Sequence, residues 1–156
     1  MTPKDFIPLI VNGAVRCETL TGIFSSVTIA QAAIESGWGE HAVGNNLFGI
    51  KASHGWDGAT RAVVTHEIRN GVAVQETDLF RVYDSWDDSI IDHGKFLTQN
   101  HRYAAALKCT TPQSFANALQ SAVYSTNPTY ASLIISIIRS HQLEQFDHDH
   151  RNGTGA

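Results

Sequence analysis

The chain has 156 residues, is 42% hydrophobic and carries a formal net charge of −4. That length and apolar fraction suit one globular domain with a substantial core, and the charge offers no basic field of the kind that draws nucleic acid. An acidic polymer would meet no general attraction either, so any such substrate must be held by local contacts.

Cys17 and Cys109 are too few for a disulfide framework and form no metal-type pair. Two free thiols are expected, with a single bridge as the alternative. No apolar run approaches the roughly 20 residues of a membrane span. The N-terminus has an early Asp5 and Pro8, so it reads as a folded helix rather than a signal peptide. The chain is therefore expected to be made in the cytoplasm and either to act there or to leave by a route that no leader records.

Thr2, Pro3 and Asp5 supply an N-cap, a proline at the first helical position and a first-turn acid. Phe6, Leu9, Ile10 and Gly13 continue at helical spacing, predicting a helix to about Leu20 that Thr21-Gly22 breaks. A second helix is predicted from Ser25 or Ser26 to Ser36, with Val27, Ala30 and Ile34 on one stripe and Gly37 as its stop. Ser25-Ser26 are assigned to its cap. Residues 37–58 hold six glycines and two tryptophans, and read as loop with one short helix near Glu40 to Val43. Arg61 to Ile68 alternates, placing Ala62, Val64, His66 and Ile68 on one face and Val63, Thr65 and Glu67 on the other. Asn70-Gly71 signals a two-residue hairpin turn, with Val72 to Thr77 returning and Leu79 to Tyr83 as a third strand. Ser85 with Asp88 opens a helix that ends near Asn100, Thr111-Pro112 opens another, and Asn127-Pro128 opens the last. The polar tail from His148 is expected to fray. Helices around one small hairpin lobe define an α+β class, predominantly α-helical, as a single domain over 1–147 with a tail over 148–156.

Glu35 lies in the last turn of the second helix, where unpaired carbonyls disfavour another anion. Ile34 and Trp38 beside it would withdraw it from water. Both effects raise a carboxyl pKa, as a general acid near neutrality requires. On position alone, a solvated helix-end glutamate is the commoner case. Glu67 reads most simply as a surface carboxylate on an edge strand, which is common; the functional alternative is the second acid of a glycosidase pair. The eight histidines lack HExxH spacing, and no GxSxG or phosphate-binding loop is present. Trp38, Phe48, Trp56, Tyr83, Tyr103, Tyr124 and Tyr130 lie in or next to loops, where aromatic faces can stack on sugar C–H faces and Asn and Tyr can bond sugar hydroxyls. Core packing is preferred for Phe48, Trp86 and Phe115, and Tyr124 is a candidate cleft wall.

AQAAIESGWG, NNLFGIKA, the hairpin THE, FRVY and YSTNPTYA occur in that order between about Val27 and Asp147. Together they resemble glycoside hydrolase family 73, the glucosaminidase-type peptidoglycan hydrolases that include flagellar wall hydrolases, autolysins and phage lysins. The resemblance implies a lysozyme-like fold with a small β-hairpin lobe, cleavage of β-1,4 links in peptidoglycan glycan strands, and no cofactor or metal. It implies Glu35 as the acid, Glu67 as the proposed second carboxylate, and Tyr124 beside them at the sugar site. Trp38, Asn46, Phe48, Asn127 and Tyr130 are the expected substrate contacts. Two positions depart from the family pattern: Val123 stands where Gly is usual, and Asn127 where Asp is usual. A muramidase or lytic transglycosylase is the nearest rival, and an inactive glycan-binding module a remoter one. A monomer acting on the periplasmic or extracellular wall is expected, as a phage-type lysin or a wall-opening factor for a secretion machine.

Overall fold

The structure, a computed structural model, describes residues 1–53 and 55–148. Its elements are α1 (Pro3–Thr21), α2 (Ser25–Ser36), a 3-10 turn (Val43–Asn45), β1 (Thr60–Arg69), β2 (Val72–Arg81) and α3 (Trp86–Gln99). A 3-10 turn (His101–Tyr103) leads into the short α4 (Ala104–Leu107), then come α5 (Pro112–Ser121), α6 (Tyr130–Ser140) and a closing 3-10 turn (Leu143–Phe146). This is the expected helical domain with one hairpin lobe. The last part of the predicted tail, residues 149–156, lies outside the described residues.

The helices gather around α2. Every residue from Ser25 to Ala33 is buried, so this helix is enclosed all round rather than along one stripe. Its small residues allow α1, α5, α6 and the closing turn to approach from different sides. α1 starts with a capping box between Thr2 and Asp5 and ends at Gly22, whose φ of 78° is a left-handed cap. It packs against α3 at close range: a Cβ on Gly94 would stand 2.5 Å from Cys17 Sγ. Both cysteines are free thiols.

The N-terminus of α2 departs from expectation. Ser25 and Ser26 lie inside the helix, and the N-cap residue Phe24 offers no side-chain hydrogen bond. The orphan backbone donors are met from elsewhere in the chain. Glu18 accepts from Ser25 N at 3.0 Å and Ser25 Oγ at 2.6 Å. Asp147 accepts from Ser26 N at 2.7 Å and Ser26 Oγ at 2.6 Å. Two carboxylates thus satisfy orphan N–H groups and face the positive end of the helix dipole.

β1 and β2 pair antiparallel through a two-residue Asn70-Gly71 turn, Glu67 lying opposite Val74. The return strand runs unbroken to Arg81, so the separate third strand expected at Leu79 to Tyr83 is the end of β2. The predicted helix at Glu40 to Val43 is instead a turn followed by the 3-10 turn at Val43–Asn45. α6 begins at Tyr130, three residues beyond Asn127. Asn127 Oδ1 accepts from Thr129 N and Oγ1, so the Asn-Pro pair forms a side-chain turn before the helix.

FRVY anchors the hairpin. Arg81 Nη1 and the Tyr83 hydroxyl both donate to Asp92 Oδ2 on α3, at 2.8 and 2.6 Å. Arg81 also lies 4.8 Å above the Trp56 ring. Asn46 ties the preceding loop to the same strand end through Nδ2 to the Ile50 and Arg81 carbonyls, and its Oδ1 accepts from Ile50 N.

Burial pushes the Asp147 carboxyl up to about 6, against the lowering effect of the Ser26 hydrogen bonds, and nearby Glu18 and Glu144 add repulsion. The folded state therefore holds this proton more tightly than an unfolded chain does. The stabilisation is complete below the unfolded pKa and is lost as pH rises through the folded value. Between about pH 4 and pH 7 the wild-type melting temperature is expected to fall relative to that of Asp147→Asn. A difference that stays constant across this range in thermal unfolding would refute the assignment.

Candidate active site

Glu35 is the penultimate residue of α2, and Gln31 stands one turn earlier on the same face. Tyr130, the first residue of α6, joins them. Its hydroxyl accepts from Gln31 Nε2 at 3.0 Å and donates to Glu35 Oε1 at 3.0 Å. With Gln31 supplying a donor to the phenol oxygen, the single tyrosine proton is aimed at Glu35 Oε1. A protonated Glu35 must then carry its own proton on Oε2. The arrangement selects one oxygen of the carboxyl for proton transfer.

Glu35 opens toward solvent as a residue, yet its carboxyl sits among aromatic rings. Desolvation is the largest influence and raises its pKa above the ordinary glutamate value; the Tyr130 hydrogen bond opposes it, and the net shift is upward. The Tyr130 phenol is itself held well above its usual pKa, first by burial and then by the neighbouring Glu35 charge. It stays neutral as a donor.

The carboxyl faces a cleft of about 480 Å³ walled by Phe48, Gly49, Ile50, Lys51, Ser53, Phe96, Tyr103, Tyr124, Ser125 and Thr126. Tyr124 stacks on Tyr130 with centroids 5.6 Å apart and planes at 16°, and Tyr103 leans on it at 5.8 Å. Phe48 lies flat on His93 at 3.8 Å. These rings offer the apolar faces that a pyranose stacks on, beside a carboxylic acid.

The remaining predicted residues fall in different places. Phe48 and Tyr124 line the cleft, and Tyr130 stands directly behind the acid. Trp38 is not part of the cleft wall: its ring packs on Phe6 at 5.8 Å and His141 at 5.2 Å. Its φ of 58° explains this, because the left-handed turn after Gly37 swings the ring away from the helix line. Asn46 spends its amide on loop carbonyls and lines a smaller cavity beyond Gly49, and Asn127 spends its side chain on its own turn.

Glu67 is not part of the cleft wall. It lies on the hairpin face that carries Val63, Thr65, Glu76 and Asp78, and pairs with Arg69 at 3.3 Å. Carboxylate oxygens of Glu67, Glu76 and Asp78 lie within 4.8 Å of one another. Positive charge reaches this trio from Arg69, 2.6 Å from Glu76, and from Lys51, 3.2 Å from Asp78. Lys51, which pairs with Asp78, also lines the cleft that Glu35 faces.

Sequence reasoning passed over Gln31 and His93, and named Tyr103 only among the aromatic residues near loops. Gln31 carried one signal: it is a polar residue in an apolar helix, four positions before the candidate acid. Nothing local marks His93.

The glucosaminidase family profile, described as mannosyl-glycoprotein endo-beta-N-acetylglucosaminidase, matches residues 11–143. The chain belongs to this family of glycoside hydrolases. The peptidoglycan hydrolase FlgJ of Pseudomonas aeruginosa is 37% identical over 149 residues, covering 90% of this chain and 37% of that protein. The chain thus spans well under half of this curated relative. Among solved structures, the glycoside hydrolase domain of Salmonella typhimurium FlgJ superposes with a TM-score of 0.78 at 32% identity, covering 93% of this chain and 91% of that one. The catalytic domain of the Listeria monocytogenes autolysin Auto gives 0.82 at 32% identity, covering 94% and 90%.

Val123, where the family pattern has Gly, adopts a φ of 56° immediately before Tyr124. A β-branched residue is strained in that region by about 1–2 kcal/mol. Val123→Gly is expected to raise the unfolding free energy by up to about 1 kcal/mol, after the entropy that glycine adds to the unfolded chain, and with it the midpoint of chemical unfolding. An unchanged or lower midpoint would contradict the strain. Tyr130→Phe removes the donor that favours the Glu35 carboxylate, so the Glu35 pKa should rise further. A ¹³C titration of the Glu35 carboxyl should show an upward shift; a downward one would mean that the phenol is not its donor.

Proposed function

We propose that this domain hydrolyses β-1,4 glycosidic bonds in bacterial cell-wall glycan strands, as an endo-β-N-acetylglucosaminidase that uses Glu35 as general acid. The observation that carries this reading is a desolvated glutamic acid, fixed at one oxygen by Tyr130 and opening into an aromatic cleft. Family membership and the names of the relatives support the substrate class. The whole of residues 1–147 serves as one catalytic domain acting as a monomer on the periplasmic or extracellular wall. Among the described residues no helix is long and apolar enough to cross a membrane.

Glu35 Oε2–H protonates the bridging oxygen as the C1–O bond breaks and positive charge develops on the sugar ring. Two groups are available to support that charge. Glu67 would have to travel with the hairpin, because it lies off the cleft and is held by Arg69. The sugar's own 2-acetamido oxygen is already beside C1, and this arrangement favours it. The Glu35 carboxylate, now a base, then takes a proton from the attacking water.

A cleft holding one acid also suits a lytic transglycosylase, in which the sugar's 6-hydroxyl replaces water. Mass spectrometry of digested peptidoglycan separates the two, since reducing ends mean hydrolysis and anhydro ends mean transglycosylation. The terminal sugar identifies a glucosaminidase or a muramidase. Glu35→Gln keeps the shape but not the acid, and should lower turnover by about a hundredfold or more. Glu67→Gln should cost less than about tenfold if the acetamido group acts. Equal losses in the two variants would mean that the hairpin delivers Glu67, and a fully active Glu35→Gln would end the proposal.

A further inference from the structure

His93 is wholly buried on α3 and has no place in the proton path through Glu35. Its Nε2 lies 3.1 Å from the Tyr124 hydroxyl, and its Nδ1 has no hydrogen-bond partner among the described residues. One ring face is covered by Phe48 at 3.8 Å, and Tyr124 meets it edge-on at 5.9 Å. Burial lowers the imidazole pKa to about 3, so near neutrality the ring is uncharged and holds a single proton.

That proton has two possible positions with opposite consequences for the cleft. On Nδ1 it would be a buried donor with nothing to bond, and Tyr124 would spend its own proton on Nε2. On Nε2 it is donated to the Tyr124 oxygen, Nδ1 is left as a bare lone pair, and the tyrosine proton is free. An orphaned buried N–H is the rarer and costlier defect. The stacking of Tyr124 on Tyr130 fixes the phenol ring, leaving the hydroxyl proton able to turn only about its C–O bond.

We propose that His93 is a positioning residue: it donates Nε2–H to Tyr124 and thereby turns the Tyr124 O–H into the cleft, as a donor to an acceptor oxygen of the bound sugar. The consequence for turnover rests on the glycosidase reading above; the position of the proton does not. This role also links two distant motifs. Phe48 of NNLFGIKA holds one face of the imidazole, while Tyr124 of YSTNPTYA receives its proton.

The position of the proton is read directly by ¹⁵N spectra of the wild-type imidazole. Nε2 should show the shift of a protonated nitrogen and Nδ1 that of a bare one; the reverse overturns the proposal. In turnover of peptidoglycan, His93→Phe and Tyr124→Phe should each lower kcat/KM about tenfold, the loss of one hydrogen bond to substrate. The double variant should fall no further than either single one. His93→Gln, which keeps a donor near the Nε2 position, should stay within about threefold of wild type. A double variant down by about a hundredfold would show independent, structural effects and refute the coupling. If His93→Phe does not fold, the wild-type ¹⁵N spectrum alone decides. If wild type releases no sugar, the glycosidase reading fails while the proton position is still tested.

Discussion

The hydrogen bond from Tyr130 to Glu35 is the contact on which the site depends. It joins the start of α6 to the end of α2 across 95 residues of chain and is made in a place that disfavours the charge it supports. Two influences oppose each other there. Removing a carboxyl from water can raise its pKa by several units, while one donated hydrogen bond returns part of that shift. Desolvation wins, so Glu35 holds its proton more tightly than an ordinary glutamate does, and the hydrogen bond decides which oxygen carries it. A more exposed glutamate would lose the upward shift, and one without the phenol would have no preferred oxygen.

The packing exists to hold those two helix ends together. α2 can be enclosed all round because small Ala, Ser and Thr residues fill the faces beside Val27 and Ile29, and α6 packs against it. The hairpin is attached differently. Arg81 and Tyr83 converge on Asp92, so its base is fixed to α3, while its tip leaves Ile68 79% exposed. A lobe fixed at one end and open at the other can border a cleft for a long polymer without closing it.

Much of this was readable in the sequence where local chemistry decides. Thr2-Pro3, Gly37, Asn70-Gly71, Ser85 and Thr111-Pro112 each mark a boundary that the structure contains, because caps and tight turns are short-range. Glu35 stood out through its helix-end position and its neighbours. Some misreadings trace to a partner distant in sequence, others to the local backbone. Ser25 and Ser26 resemble a cap, yet their hydroxyls bind carboxylates that lie elsewhere in the chain. Trp38 follows the acid in sequence but is turned away by a left-handed backbone. His93 has no local motif at all, since what distinguishes it is the pair of rings that the fold places on either side.

The carboxylate of Asp147 that caps α2 has a consequence for the order of events during synthesis. Ser26 and Asp147 are 121 residues apart, so as the chain emerges from its N-terminus the acid-bearing helix is made early and waits with its first turn incomplete. Tyr130, which selects the oxygen of Glu35, also arrives late. A nascent chain therefore displays the acid long before the groups that give it a working geometry. Assembly of the site is deferred until Tyr130 and Asp147, late in the described chain, have been made.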